Sequence, residues 1–127
     1  MVSGAGLTIC VVDDDEVVRD SLKALLESRR FNVVDFGSGS QFLDGRKDAA
    51  GACLLLDMHM HELSGLDVLK ALRDMGDLIP IIMLTGRSDS LLESRARLLG
   101  AIAVLDKPIA HSALFAAIDL ALAAGQG

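Results

Sequence analysis

The chain has 127 residues, the length of one ordinary domain with a single core, and 51% of them are hydrophobic, which excludes a mainly disordered chain. Eighteen acidic residues stand against twelve basic ones, a formal charge of −6, so the long-range field repels a phosphate backbone and direct nucleic-acid binding by this domain is not expected. No apolar run approaches the roughly 18–20 residues of a membrane span. Met1 to Gly6 has neither a basic stretch nor an apolar core behind it, so no secretory signal is expected and the cytoplasm is the default location.

Leu7 to Val12 is a continuous apolar run with β-branched residues, the pattern of a parallel strand covered on both faces. It stops at Asp13, Asp14, Asp15 and Glu16. Val17, Val18, Ser21, Leu22, Leu25 and Leu26 then recur at spacings of three and four with Arg19, Asp20, Lys23 and Glu27 between them, which predicts an amphipathic helix. Phe31 to Phe36 reads as a second strand, and Ser38 to about Lys47 as a second helix anchored by Phe42 and Leu43.

Ala52 to Leu56 is a third strand, again closed by an acid, Asp57. A loop with His59, His61 and Glu62 leads to Ser64, which with Asp67 makes a helix start resembling a capping box. Leu66, Leu69, Leu72 and Met75 supply that helix with an apolar stripe, and Gly76 suits its end. Pro80 opens a fourth strand, Ile81 to Leu84, followed by Thr85 and Gly86. The fourth helix is expected from about Asp89 to Leu99, closed by Gly100. Ala101 to Leu105 gives the fifth strand, then come Asp106, Lys107 and Pro108. The last helix, about His111 to Ala124, carries Leu114, Phe115, Ile118, Leu120 and Leu122 with Asp119 as its only charge. Cys10 and Cys53 sit inside apolar runs and read as buried small hydrophobes without a disulfide.

Strands alternating with helices through short links predict one α/β domain over residues 1–127, ordered from about 6 to 124: a doubly wound, five-stranded parallel sheet with right-handed crossovers. In such sheets ligands bind outside the carboxyl ends of the strands. Those ends carry Asp13, Asp14, Asp57, Thr85 and Lys107. The flavodoxin-like strand order 2-1-3-4-5 sets Asp13 and Asp14 beside Asp57 at the switch point. Carboxylates that close repel by roughly 4 kcal/mol per pair at 4 Å and an effective dielectric of 20. A hard divalent cation answers this, and Mg²⁺ suits an incomplete oxygen shell that keeps waters for a phosphate to replace. With the Lys107 charge and the Thr85 hydroxyl, the set reads as a site for an anion bound through a metal, with a carboxylate able to attack phosphorus.

The stretches VVDDDEVVRDSL, LLLDMHMHELSGLDVL, PIIMLTG and LDKP, in this order and at these strand ends, resemble the CheY-like receiver domain of bacterial two-component response regulators. VVDDDEVVRDSLKALLES and TGRSD look most like the FixJ type. The resemblance implies that Asp57 is the phosphoacceptor, Asp14 a direct Mg²⁺ ligand, Asp13 a ligand through water and the His59 backbone carbonyl a further ligand. Thr85 and Lys107 would contact phosphoryl oxygens, and the Lys107–Pro108 bond would be cis. The donor would be a phosphohistidine on a sensor histidine kinase or phosphotransfer protein. The domain would not be a conventional turnover enzyme; it would catalyse its own phosphorylation and slow dephosphorylation. The face of helix four, strand five and helix five would switch, and could pair two copies. The apolar last helix suggests contact with a partner or a second copy on its uncharged side.

Two positions depart from the family pattern. Met60 is followed by His61 where a proline is usual, which loosens the loop. Val104 stands where Tyr or Phe is common, so an aromatic switch coupled to Thr85 cannot operate in its usual form. Val104 keeps open a receiver used as a binding module without phosphorylation. A haloacid-dehalogenase-type hydrolase also uses an Asp, a Thr or Ser and a Lys, but it expects an acid where His59 stands, and a longer chain. A flavodoxin-like carrier would need a Ser/Thr/Gly-rich loop where this chain has four acids. His59 and His61 near Glu62 suit a transition metal less well than a solvated loop. His59 and Arg87, which flank the site in the family pattern, are candidates for tuning phosphoryl lifetime.

Overall fold

The computed structural model describes residues 6–46, 51–87 and 89–125. They form β1 (Thr8–Val12), α1 (Glu16–Glu27), β2 (Asn32–Phe36), α2 (Gly39–Gly45), β3 (Cys53–Asp57), α3 (Gly65–Asp74), β4 (Ile81–Thr85), α4 (Ser90–Leu98), β5 (Ala103–Asp106) and α5 (His111–Gly125). All strand pairs are parallel and the order is β2-β1-β3-β4-β5, as the alternating pattern predicts.

The apolar runs are continuous because the central strands are covered on both faces, and the two-residue period of a strand splits each run between two cores. Cys10, Val12, Leu54, Leu56, Ile81 and Met83 face Phe42 of α2, Val68, Leu69 and Leu72 of α3 and Ala96 of α4. Ile9, Val11, Cys53, Leu55, Ile82 and Leu84 face Leu22 and Leu26 of α1 and Leu114, Phe115 and Ile118 of α5. The two cysteines thus belong to opposite faces and are free. Burial raises both thiol pKa values, that of Cys53 to about 12.

Local chemistry sets the helix starts. Asp15 caps α1 by accepting from the Val17 N–H, and Ser38 caps α2 by accepting from the Gln41 N–H. Ser64 and Asp67 complete the capping box on α3, and Asp89 accepts from the N–H groups of Leu91 and Leu92 on α4. Gly76 and Gly100 follow α3 and α4 at positive φ, where a side chain would be strained.

Several expectations shift. Val17, Met75 and Leu120 are exposed, not part of the buried stripes: Val17 lies in the first turn of α1, Met75 is the α3 C-cap, and Leu120 faces outward on α5. The fifth strand begins two residues late because the Ala101 N–H closes onto Ala96 at the end of α4 instead of joining the sheet. The third, fourth and fifth strands each run one residue further than expected, so Asp57, Thr85 and Asp106 are themselves strand residues. Helix two is described to Gly45, with Arg46 as its C-cap; the expected end at Lys47 lies outside the described residues.

Candidate acidic site at the strand ends

The site forms where β1 and β3, adjacent in the sheet, release their chains at the same edge. Asp13 is fully buried, and its main-chain N–H donates to the Phe36 carbonyl at 3.2 Å, extending the β1–β2 ladder by one bond. Its Oδ1 accepts from the Asp15 N–H at 2.9 Å and its Oδ2 from Lys107 Nζ at 2.8 Å. Asp57, also buried, accepts at Oδ1 from the His59 N–H at 3.3 Å and lies 3.3 Å from the same Lys107 Nζ. Asp14 is exposed and accepts the His61 N–H at 3.3 Å. One carboxylate oxygen from each of Asp13, Asp14 and Asp57 lies within 4.8 Å of the others.

Two backbone features hold these side chains in place. The Lys107 N–H donates to the Thr85 carbonyl at 2.7 Å, carrying the β4–β5 ladder past its last strand residue and fixing where the ammonium starts. The Lys107–Pro108 bond is cis. On the other side the Gly65 N–H donates to the Met58 carbonyl at 3.0 Å, bringing the start of α3 against the end of β3. A Cβ at Gly65 would collide with the Asp57 carbonyl and stand 2.8 Å from Met58 Cα, so glycine is required for this approach.

The electrostatics follow from burial. Loss of water, then the charge of Asp13, push the Asp57 carboxyl up from 3.8 to about 6, against the lowering pull of Lys107 and the His59 N–H. Burial pulls Lys107 down, but its bond to Asp13 and the charge of both carboxylates outweigh this and raise it above the ordinary lysine value. Lys107 is one cation among three gathered carboxylates, so the cluster stays net negative. Its donors are all oxygens, which fits a hard divalent ion and not a soft one.

The structure therefore gathers Asp13, Asp14, Asp57 and Lys107, with His59 reaching Asp57 through its main chain. It does not bring the Thr85 hydroxyl into the cluster: that group donates to the Arg87 carbonyl at 2.7 Å and accepts the Arg87 N–H at 3.1 Å, closing the turn after β4. The imidazole of His61 is almost fully exposed, its Nε2 3.9 Å from Asp14. Arg19, in the sequence merely a polar position on α1, donates from Nη1 to the Asp13 carbonyl at 2.7 Å and from Nε to Asp35 at 3.1 Å. Nothing in its spacing announces this, because the partner is a main-chain oxygen.

Residues 9–119 match the family model described as the response regulator receiver domain. Response regulator protein TodT of Pseudomonas putida is 37% identical over 121 residues, which cover 95% of this chain and 53% of TodT. Transcriptional regulatory protein FixJ of Azorhizobium caulinodans is 38% identical over 116 residues, 91% of this chain and 55% of FixJ. The chain thus spans about half the length of the curated relatives it matches. Among solved structures, the response regulator StyR superposes with a TM-score of 0.89 at 39% identity, covering 96% of this chain and 62% of StyR.

Proposed function

Because the chain belongs to the response regulator receiver domain family, we propose that it takes a phosphoryl group from a phosphohistidine of a sensor kinase or phosphotransfer protein onto Asp57. The observation that carries this is the Lys107 ammonium set between Asp13 and Asp57 at the edge of the sheet. An Asp57 oxygen attacks phosphorus, the P–N bond breaks, and the histidine nitrogen keeps the electron pair and takes up a proton. The carboxyl must be ionised to attack, and a pKa near 6 leaves it mostly ionised at neutral pH. Lys107 stands where it can offset charge on the transferred oxygens, so that positioning and electrostatics do most of the work.

Asp13, Asp14, Asp57 and the His59 carbonyl would hold Mg²⁺, which when bound neutralises charge on phosphoryl oxygens. Thr85 would exchange its bond to Arg87 for one to a phosphoryl oxygen, opening the turn that leads into α4. Leu120 of α5 is exposed, which supports a switched surface, or a homodimer, on the face of α4, β5 and α5, whereas the exposed Leu98 of α4 lines a groove against α3. Val104 of β5, half-buried, would transmit the change by packing and not by an aromatic rotamer.

An apolar cleft of about 230 Å³ between α1 and the start of α5 shares Lys107 with the acidic site; Val17, exposed, and Leu22, Leu25, Ile109 and Leu114 also line it. A phosphodonor docked there would deliver its group from the side of Lys107. At a formal charge of −6 we assign the domain no nucleic-acid surface. We take its location to be cytoplasmic, in keeping with two buried free thiols.

Incubation with acetyl phosphate and Mg²⁺, read by intact mass, tests the central claim. The wild type should gain one phosphoryl group and Asp57→Asn none; no adduct on the wild type, or an equal adduct on the variant, rejects it.

A further inference from the structure

We propose that Arg19 is a positioning residue of this site, holding the Asp13 peptide so that its carboxylate faces the cation position; this rests on the function proposed above. Arg19 lies in the first turns of α1, where its own N–H donates to the Asp15 carbonyl at 3.0 Å. Its guanidinium is mostly buried and uses two edges at once. Nη1 donates to the Asp13 carbonyl, and Nε pairs with Asp35 of β2. A planar fork can satisfy both partners in fixed directions, which a single ammonium cannot. Gly37, after β2, leaves the room: a Cβ there would stand 3.3 Å from Nη1.

Asp13 is gripped at each of its polar groups. Its N–H goes to Phe36, its carbonyl to Arg19, and its two carboxylate oxygens to the Asp15 N–H and to Lys107. Arg19 is the one of these partners that ties Asp13 to both α1 and β2. Without it the carbonyl loses its charged donor, and the Asp13–Asp14 peptide, no longer tied to α1 and β2 at that oxygen, can tilt and shift the Asp13 carboxylate relative to Asp14 and Asp57. Arg19 touches neither Asp57 nor the reacting atoms, so its effect passes through Asp13.

Three roles for Arg19 give different signs in one experiment. Mg²⁺ affinity of the full chain is measured by titration followed through backbone amide NMR shifts, beside the melting temperature, for wild type, Arg19→Gln and Arg19→Lys. If Arg19 positions Asp13, both variants bind Mg²⁺ more weakly, with Gln weakened about tenfold or more. If it acts only as a nearby positive charge, Gln binds Mg²⁺ more tightly and Lys is unchanged. If it only braces the fold, both melt earlier but bind Mg²⁺ with wild-type affinity. Either of the last two results overturns the proposal, and Lys alone decides it if Gln does not fold. Failure of the wild type itself to bind Mg²⁺ or accept phosphoryl instead overturns the function on which it rests.

Discussion

Asp57→Asn should make the domain more stable, and the gain should depend on pH in a defined direction. Asp57 sits with its side chain almost wholly buried beside Asp13, and its carboxyl titrates near 6 when folded against 3.8 for the free group. For an acid with a raised folded pKa, the folded state holds the proton more tightly than the unfolded one. Stability is therefore lost as pH rises from about 4 to 6, and the whole penalty applies above 6. At about 1.4 kcal/mol per pH unit the charge costs about 3 kcal/mol at pH 7.5 and about 1 kcal/mol at pH 4.5. Asparagine has nearly the same shape, can still accept from the His59 N–H, and removes the charge. Urea unfolding in a chelating buffer at the two pH values measures the difference between wild type and variant. The variant should gain up to about 3 kcal/mol at pH 7.5, shrinking to about 1 kcal/mol at pH 4.5. No gain at pH 7.5, or a gain of equal size at both values, refutes the idea that Asp57 is held ionised against its surroundings.

Lys107→Met removes the ammonium shared by Asp13 and Asp57, and the rate of adduct formation from acetyl phosphate should fall roughly 10²-fold, followed by intact mass over time. Gly65→Ala drives a methyl group into the Asp57 carbonyl and should destabilise the fold by about 1–3 kcal/mol in urea. Gly86→Ala, where nothing lies within 4 Å, should change stability by less than about 0.5 kcal/mol in the same assay. Mg²⁺ at a hundred times its dissociation constant should stabilise the wild type by about 2.7 kcal/mol, and most of that gain should vanish in Asp14→Asn, read by thermal melts.

The features most legible in the sequence were those that depend on local chemistry repeated in a fixed order. The apolar runs of strands one, three, four and five each give way to polar residues, and a parallel sheet collects such ends at one edge, so the pattern alone groups Asp13, Asp57 and Lys107. Capping residues were legible for the same reason, since Ser64 and Asp67 satisfy each other within one turn. What depends on direction was not. The pattern gave Thr85 a place at the edge but not the orientation of its hydroxyl, which the Arg87 peptide decides. Helical spacing set Val17 and Met75 on the apolar stripes, but both belong to terminal positions of their helices that the sheet does not cover. Arg19 reads as a solvated charge until the fold brings Asp35 and the Asp13 carbonyl to it.

Five of the eighteen acids, Asp13 to Glu16 and Asp57, account for nearly all of the chain's net charge, since the remaining thirteen almost balance twelve bases. In the fold these five separate by task. Asp15 caps α1 and Glu16 sits in its first turn, both favoured by the positive end of the helix dipole. Asp14 stays near solvent, where its charge is cheap. Only Asp13 and Asp57 are buried, and Lys107 can balance one of the two. The raised Asp57 pKa comes first from its loss of water and then from the Asp13 charge, which Lys107 offsets only in part. A second positive charge at this edge would lower that pKa and remove the penalty, so the same buried pair that weakens the isolated fold gives a cation its reason to bind. Replacing Asp57 by asparagine should therefore raise stability and weaken the cation together, because both effects have one cause.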